Sequence, residues 1–252
     1  MLKFVLLIAV VCGAAQAIDW CAMKTQYCGP HEHIACEPNS FPKGSNVHDI
    51  KQVVISSKVQ KMIIERHNMY RRRVASGQEP KLSSASKMKQ MSWNNDLAYV
   101  ANAHAKHANF QNDKCRKFTK FPQSGQSLGI TWSSQPFTNF TAALQGLIDE
   151  WYNHGMPTIR DKMQTCIKKY TLASPNAPNC REAAPFTVMI KDSNNAVGCA
   201  AYTFEQLKDG MWLNTLLITC NYADTNMMNS SIYAKGAACS ACTGTCNKSL
   251  CA

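Results

Sequence analysis

Acidic side chains are scarce in this 252-residue chain: 16 Asp and Glu stand against 27 Lys and Arg, a formal net charge of +11. That balance disfavours a protein built to attract cations and points to anionic partners. Long apolar runs are scarcer still. The one run of note, Phe4 to Val11, is too short for a bilayer, which needs about 20 apolar residues. It follows Lys3 and precedes Ala15-Gln16-Ala17, so residues 1–17 read as a secretory signal and no segment reads as membrane-spanning. Arg-Gly-Asp is missing, which removes an integrin-directed loop of that kind. Internal repeats and long linkers are missing too, so residues 18–252 are expected to form one large domain with at most a small appendage.

Cysteine, by contrast, is plentiful. The chain has 13, and loss of Cys12 with the signal leaves an even twelve. In an oxidising compartment this implies up to six disulfides, each worth about 2–4 kcal/mol. A secreted basic protein of this kind suits an anionic glycan or lipid surface better than nucleic acid. The basic clusters are Arg71-Arg72-Arg73, Lys114 to Lys120, and Lys162 with Lys168 and Lys169. Each also reads as an ordinary solvated face.

The pattern centres on Ala196 to Tyr233. Val197, Cys199, Ala201 and Thr203 alternate with smaller or polar neighbours, as in a half-buried strand. Asp209-Gly210 is a hairpin turn, and the return strand, Met211 to Cys220, is apolar through Leu216, Leu217 and Ile218. Cys199 and Cys220 fall where a cross-strand disulfide can form. Upstream, residues 18–50 read as an irregular arm holding Cys21, Cys28 and Cys36, in which His31 and His33 are expected on the surface.

Helical spacing predicts Ser57 to Ala75, with Ile63, His67, Tyr70 and Val74 on one face and His67 a hydrogen-bonded core residue. A second helix is expected over Asn95 to Ala108 and a third over Asn139 to Asn153, burying Leu144, Leu147, Ile148 and Trp151. Residues 109–136 and 154–183 read as loops, the latter pairing Cys166 with Cys180, and Phe186 to Ile190 reads as a strand. The tail carries Cys239, Cys242, Cys246 and Cys251, which suit either a zinc knuckle or, in a secreted chain, two disulfides. Sequons stand at Asn139, Asn229 and Asn247.

Several of these stretches carry a resemblance. Ile63-Ile-Glu-Arg-His-Asn-Met-Tyr70, Val197-Gly-Cys-Ala-Ala-Tyr202 and Thr219-Cys-Asn-Tyr-Ala-Asp-Thr-Asn-Met227 resemble motifs of the CAP superfamily, in its insect antigen 5-like branch. The likeness implies an α+β fold, a three-layer αβα sandwich over residues 51–233, with a cysteine-stapled arm (18–50) and tail (234–252). It also implies that Cys28 pairs with Cys115 and Cys21 with Cys36.

Many CAP proteins hold two histidines and two glutamates in a central cleft. The matching positions here are Asn112, Gln126, His154 and Pro185, so all four depart from the pattern. Neutral amides and a proline are poor ligands for zinc, so no metal, no cofactor and no acid–base catalysis is expected. No cysteine is left free, and the Asp/Glu–His pairs have no spacing that brings them together. The resemblance implies a non-enzymatic scaffold for small lipids or hydrophobic mediators, with Ile63, Tyr70, Leu147 and Trp151 as candidate groove residues. The alternative is an extracellular effector that contacts proteins or anionic surfaces through its loops.

Overall fold

A computed structural model describes residues 18–36, 38–158, 163–174 and 177–252. The leader read over residues 1–17, and Lys162 of the third basic cluster, lie outside the described residues. In chain order the elements are α1 (Trp20–Tyr27), β1 (Val47–Val53), α2 (Ser57–Ala75), β2 (Ser92–Trp93), α3 (Asn95–Ala105) and β3 (Gly125–Ser133). There follow α4 (Phe140–Thr158), α5 (Met163–Lys168), α6 (Ala184–Met189), β4 (Ala196–Lys208), β5 (Met211–Tyr222), β6 (Cys246–Asn247) and β7 (Leu250–Cys251).

The β4–β5 hairpin is the centre of the sheet. The strands pair antiparallel from Val197↔Tyr222 to Lys208↔Met211. Asp209 and Gly210 close the turn at φ 51° and 80°, the backbone that a two-residue hairpin needs to match strand twist. β1 adds to the free side of β4 and β3 to that of β5, giving the order β1-β4-β5-β3, while β2 makes a short parallel contact with β4. On one face α2, α4 and α6 bury Ile63, Leu144, Ile148 and Phe186 with Ala201, Leu216, Ile218 and the Cys199–Cys220 disulfide. On the other, Ala101 and Ala105 of α3 pack on Ala200 and Tyr202. This is the three-layer αβα sandwich. α3 presses so closely that a Cβ on Gly198 would lie 2.2 Å from the Ala98 nitrogen, so only glycine fits there.

Local structure departs from the sequence expectations at several points. β4 is covered on both faces over its first half, so its alternation marks small against large residues, not buried against exposed. Residues 125–133 form strand β3, not loop. Residues 186–189 belong to helix α6, not a strand: Pro185 occupies its first turn and the Thr187 hydroxyl donates to the Ala183 carbonyl at 3.0 Å. A short apolar run fits a buried helix turn as well as a strand, and tertiary packing decides. The stretch 154–183 contains the end of α4 and all of α5, and α3 stops at Ala105. The arm is only partly irregular. Asp19 caps α1 through Oδ1 at 3.0 Å from the Cys21 and Ala22 N–H groups, and β1 runs through residue 50 into the sheet. His33 is buried, stacked on Trp20, not on the surface.

Six disulfides staple the chain: Cys21–Cys36, Cys28–Cys115, Cys166–Cys180, Cys199–Cys220, Cys239–Cys246 and Cys242–Cys251. The tail cysteines are therefore disulfides and not a zinc knuckle. Cys28–Cys115 spans 87 residues and is worth about 4.6 kcal/mol by loop-closure entropy. It ties the arm to the loop after α3, where Ile34 N–H also donates to the Cys115 carbonyl at 3.0 Å. The tail docks through buried Leu250 and through Cys251, whose backbone bonds Met88 and Gln90.

Two polar anchors fix α2. Arg71, the first residue of a basic cluster read as solvated, is fully buried. Its guanidinium donates to the carbonyls of Lys89, Met189, Lys191 and Asn194 at 2.6–2.9 Å, joining α2 to the turn before β4. Burial lowers its pKa to about 9, still protonated at neutral pH. Arg73 of the same cluster pairs with buried Glu79 at 2.8 Å.

His67 is likewise buried, with Nδ1 2.7 Å from the Ile63 carbonyl and Nε2 3.0 Å from the Tyr222 hydroxyl. A carbonyl only accepts, so Nδ1 carries the proton and Nε2 accepts from tyrosine. Burial lowers the His67 pKa from 6.5 to about 4, and lowers that of His104, between Thr219 and the Gln111 carbonyl, in the same direction. The unfolded chain therefore binds more protons than the folded one between pH 4 and 6.5, so stability is complete above that window and is lost as pH falls through it. His67 alone accounts for about 3 kcal/mol of this loss at 1.36 kcal/mol per pKa unit. Urea midpoints are expected to hold above pH 6.5 and to drop toward pH 4, with a shallower drop in a His67→Gln variant. A midpoint unchanged over that window contradicts the neutral, buried histidine.

Candidate functional site

The sheet ends at β3, and the helix layers extend past it. From one side α4 brings Leu147 and Trp151; from the other, Phe110 follows α3. Between them lies a cleft of about 230 Å³ whose floor is Leu128, Gly129 and Ile130 of β3 and whose far wall is Ala183 and Pro185. A Cβ on Gly129 would lie 3.2 Å from Leu147 Cβ and 3.3 Å from Trp151 Nε1, so glycine lets α4 settle onto the strand. The Trp151 indole N–H donates to the Leu128 carbonyl at 2.9 Å, satisfying a backbone acceptor of the terminal strand and fixing the ring in the cleft. The ionisable lining residues are Glu150, His154 and Glu182. Glu150 and His154 stand 3.6 Å apart and are 66% and 70% exposed, so water screens them.

The four positions that depart from the CAP pattern fall into two neighbouring cavities. His154 and Pro185 line the apolar cleft. Asn112 and Gln126 line a second cavity, of about 390 Å³, with Tyr170, Arg181 and Asn226. Asn112 Nδ2 donates to Gln126 Oε1 at 2.9 Å, and Gln126 Nε2 donates to Asp113 Oδ2 at 2.6 Å and to Asn221 Oδ1 at 3.1 Å. Arg116 holds Asp113 in turn at 3.0 Å. This closed network already engages the amide donors and acceptors on each other. Burial raises the Tyr170 pKa beside it. Among the described residues no three His, Cys, Asp or Glu side chains converge as metal ligands would.

Of the candidate groove residues, Leu147 and Trp151 line the cleft and Ile63 and Tyr70 do not. At the level of Tyr70, α2 packs directly on α4, and the cavity between their first turns is lined by Val59, Phe140 and Leu144 without Ile63 or Tyr70. Tyr70 stacks on Tyr152 at 3.9 Å and donates to Asp149 Oδ1 at 2.9 Å, while Arg66 clasps the same carboxylate. Ile63 is fully enclosed. The cleft opens instead at the β3 edge, so Phe110, Leu128 and Ile130 complete it. Sequence reasoning passed them over because residues 109–136 read as loop.

The β3 pentapeptide Gly125-Gln-Ser-Leu-Gly129 has the Gly-x-Ser-x-Gly spacing of a hydrolase nucleophile. Here Ser127 lies within a strand, paired with Cys220 and buried, whereas that chemistry requires a serine exposed on a strand-to-helix turn. The sequon residues Asn139, Asn229 and Asn247 are all exposed. Asn139 accepts the Ala142 N–H through Oδ1 at 3.0 Å, capping α4, and Asn247 donates to Gln90 at 3.1 Å.

Comparison with known proteins agrees with this architecture. The model of the Cysteine-rich secretory protein family, CAP, matches residues 64–222. Venom allergen-1 of Aedes albopictus is 31% identical over 218 residues, covering 85% of this chain and 79% of its own. Venom allergen 3 homolog of Dinoponera quadriceps is 27% identical over 239 residues, covering 92% and 96%. Among solved structures, that of NaASP2 with Zn2+ shares the fold at a TM-score of 0.55 and 22% identity, covering 78% of this chain and 96% of that one. With the family model spanning well over half of its length, this chain belongs to the CAP family of cysteine-rich secretory proteins, in the antigen 5-like branch.

Proposed function

We propose that the chain is a secreted, non-enzymatic carrier that holds a small apolar molecule in the cleft at the β3 edge. The carrying observation is the lining: Phe110, Leu128, Ile130, Leu147 and Trp151 converge there. Binding pockets for drug-sized molecules run from about 300 Å³ upward, so a cleft of about 230 Å³ suits one acyl chain or a compact hydrophobic mediator whose polar end stays outside. Six disulfides support an oxidising, extracellular setting. Of the ionisable lining residues, Glu150 and His154 are 66% and 70% exposed, and water around them supports binding without turnover. Glycans at Asn139, Asn229 and Asn247 belong to the same proposal; at Asn139 the helix cap uses Oδ1, the atom a glycan leaves free.

Mass spectrometry of an organic extract of the folded protein is expected to show a single-chain lipid. A Phe110→Asp variant, altered at a half-exposed position, is expected to weaken displacement of a fluorescent fatty acid about tenfold while leaving the fold intact. Clean extracts and equal displacement by both proteins contradict the carrier.

The residues present do not fit the zinc site that the family implies. Pro185 offers no donor atom, Asn112 and Gln126 are engaged with each other, and His154 lines the other cavity. Calorimetric titration with zinc is expected to give weak binding that His154→Ala leaves unchanged. Tight one-to-one binding abolished by that substitution overturns this reading.

A further inference from the structure

Four exposed apolar side chains gather at one end of the sheet, around the Asp209–Gly210 turn: Trp132 on β3, Leu207 on β4, and Met211 and Trp212 on β5. Met211 is 61% exposed and Trp212 51%. Register divides them between the two faces. Leu207 pairs with Trp212 on one face, where His48 of β1 packs on the Trp212 ring with centroids 4.3 Å apart. Lys208 pairs with Met211 on the other, where the Lys208 ammonium sits 3.5 Å from the Trp132 ring centroid. Gln206 Oε1 accepts the Trp132 indole N–H at 3.0 Å and holds that ring in place. The hairpin thus ends as a wedge with an indole on each side.

We propose that this wedge docks on an anionic phospholipid surface, with both indoles at headgroup depth. A patch for a folded protein partner is expected on one face of a sheet; here both faces of the tip are apolar, as suits a tip that enters a soft medium. Tryptophan is at home in the headgroup layer, apolar in its ring and polar at its N–H. Lys208 beside it has an alkyl stem and an ammonium able to reach phosphate. The chain as a whole is charged +11, which draws it to an anionic surface.

The charges at the tip are closely balanced. Glu205 faces His48 at 3.5 Å, Asp49 pairs with Lys51 at 2.7 Å, and Asp209 sits at the apex next to Lys208. That balance keeps the contact shallow and leaves long-range attraction to the rest of the surface. Docking here does not depend on what fills the cleft.

The test uses the full mature chain with vesicles of phosphatidylcholine alone and of phosphatidylcholine containing phosphatidylserine. Co-sedimentation with the serine-containing vesicles, a blue shift of tryptophan emission and weakening by salt are expected. A Trp132→Ser, Trp212→Ser double variant is expected to bind those vesicles about tenfold more weakly. Met211→Asp provides a second variant at a largely exposed position, expected to weaken binding without replacing either indole. Near-ultraviolet circular dichroism reports whether each variant keeps its fold. Absence of vesicle binding overturns the proposal, as does binding equally strong in both folded variants. Retention on heparin without vesicle binding also overturns it, assigning the charge to a glycan surface.

Discussion

The pairing of β4 with β5, locked across the strands by Cys199–Cys220, is the constraint on which the other elements depend. Because β4 is flanked by strands on both edges and covered on both faces over its first half, its side chains must be small where helices approach, as at Gly198 and Ala200. The same crowding dictates where helices can sit. α2 cannot drift, since Arg71 and His67 tie it to the turn before β4 and to Tyr222 of β5 through directed hydrogen bonds. Those bonds are expensive to lose in a dry interior, so the layers are fixed to one another as well as packed. The arm is tied to the loop after α3 by Cys28–Cys115, and the tail, stapled internally by its own two disulfides, is held on the Met88–Gln90 segment by backbone hydrogen bonds of Cys251.

A sheet built outward from a central hairpin must end on both sides, here at β1 and at β3. The helical layers overhang the β3 edge, and the space beneath them is the cleft. Its position follows from the architecture, while its chemistry follows from the lining. Where the family commonly places imidazoles and carboxylates, this chain has two amides bonded to each other, a proline, and a histidine facing solvent. These positions put amides in one cavity and leave a mainly apolar lining in its neighbour, which is the observation behind the proposed carrier.

Much of the frame was legible in the sequence. The spacing of Ile63, His67, Tyr70 and Val74 marks α2, and Asp209-Gly210 marks the hairpin turn, because each is a local rule that packing did not override. β3 was not legible. Its residues facing α4 and α6 are Gly125, Ser127 and Gly129, small because Val188 and Leu147 approach within 3.1–3.2 Å of where a Cβ would stand. Leu128, Ile130 and Trp132 do alternate along it, but the glycines and serines among them are residues that also mark loops, so the stretch reads as a loop. Hence the cleft's floor was missed, while Tyr70 is taken up by its stacking on Tyr152 and its bond to Asp149 and does not line the cleft. Burial of Arg71 and His33 was also hidden, since composition reads a charged or polar residue as solvated until its backbone partners are known.

The central claim is that an apolar ligand occupies the β3-edge cleft. Amide NMR of delipidated protein titrated with a single-chain fatty acid tests this most directly. The account predicts saturable shifts at residues 128–130, at 147–154 along α4 and at 182–185, with the Trp151 indole N–H signal moving in step. Shifts confined to the outer surface of α2, around Gln60 and Arg72, or no saturable shifts at all, would contradict it.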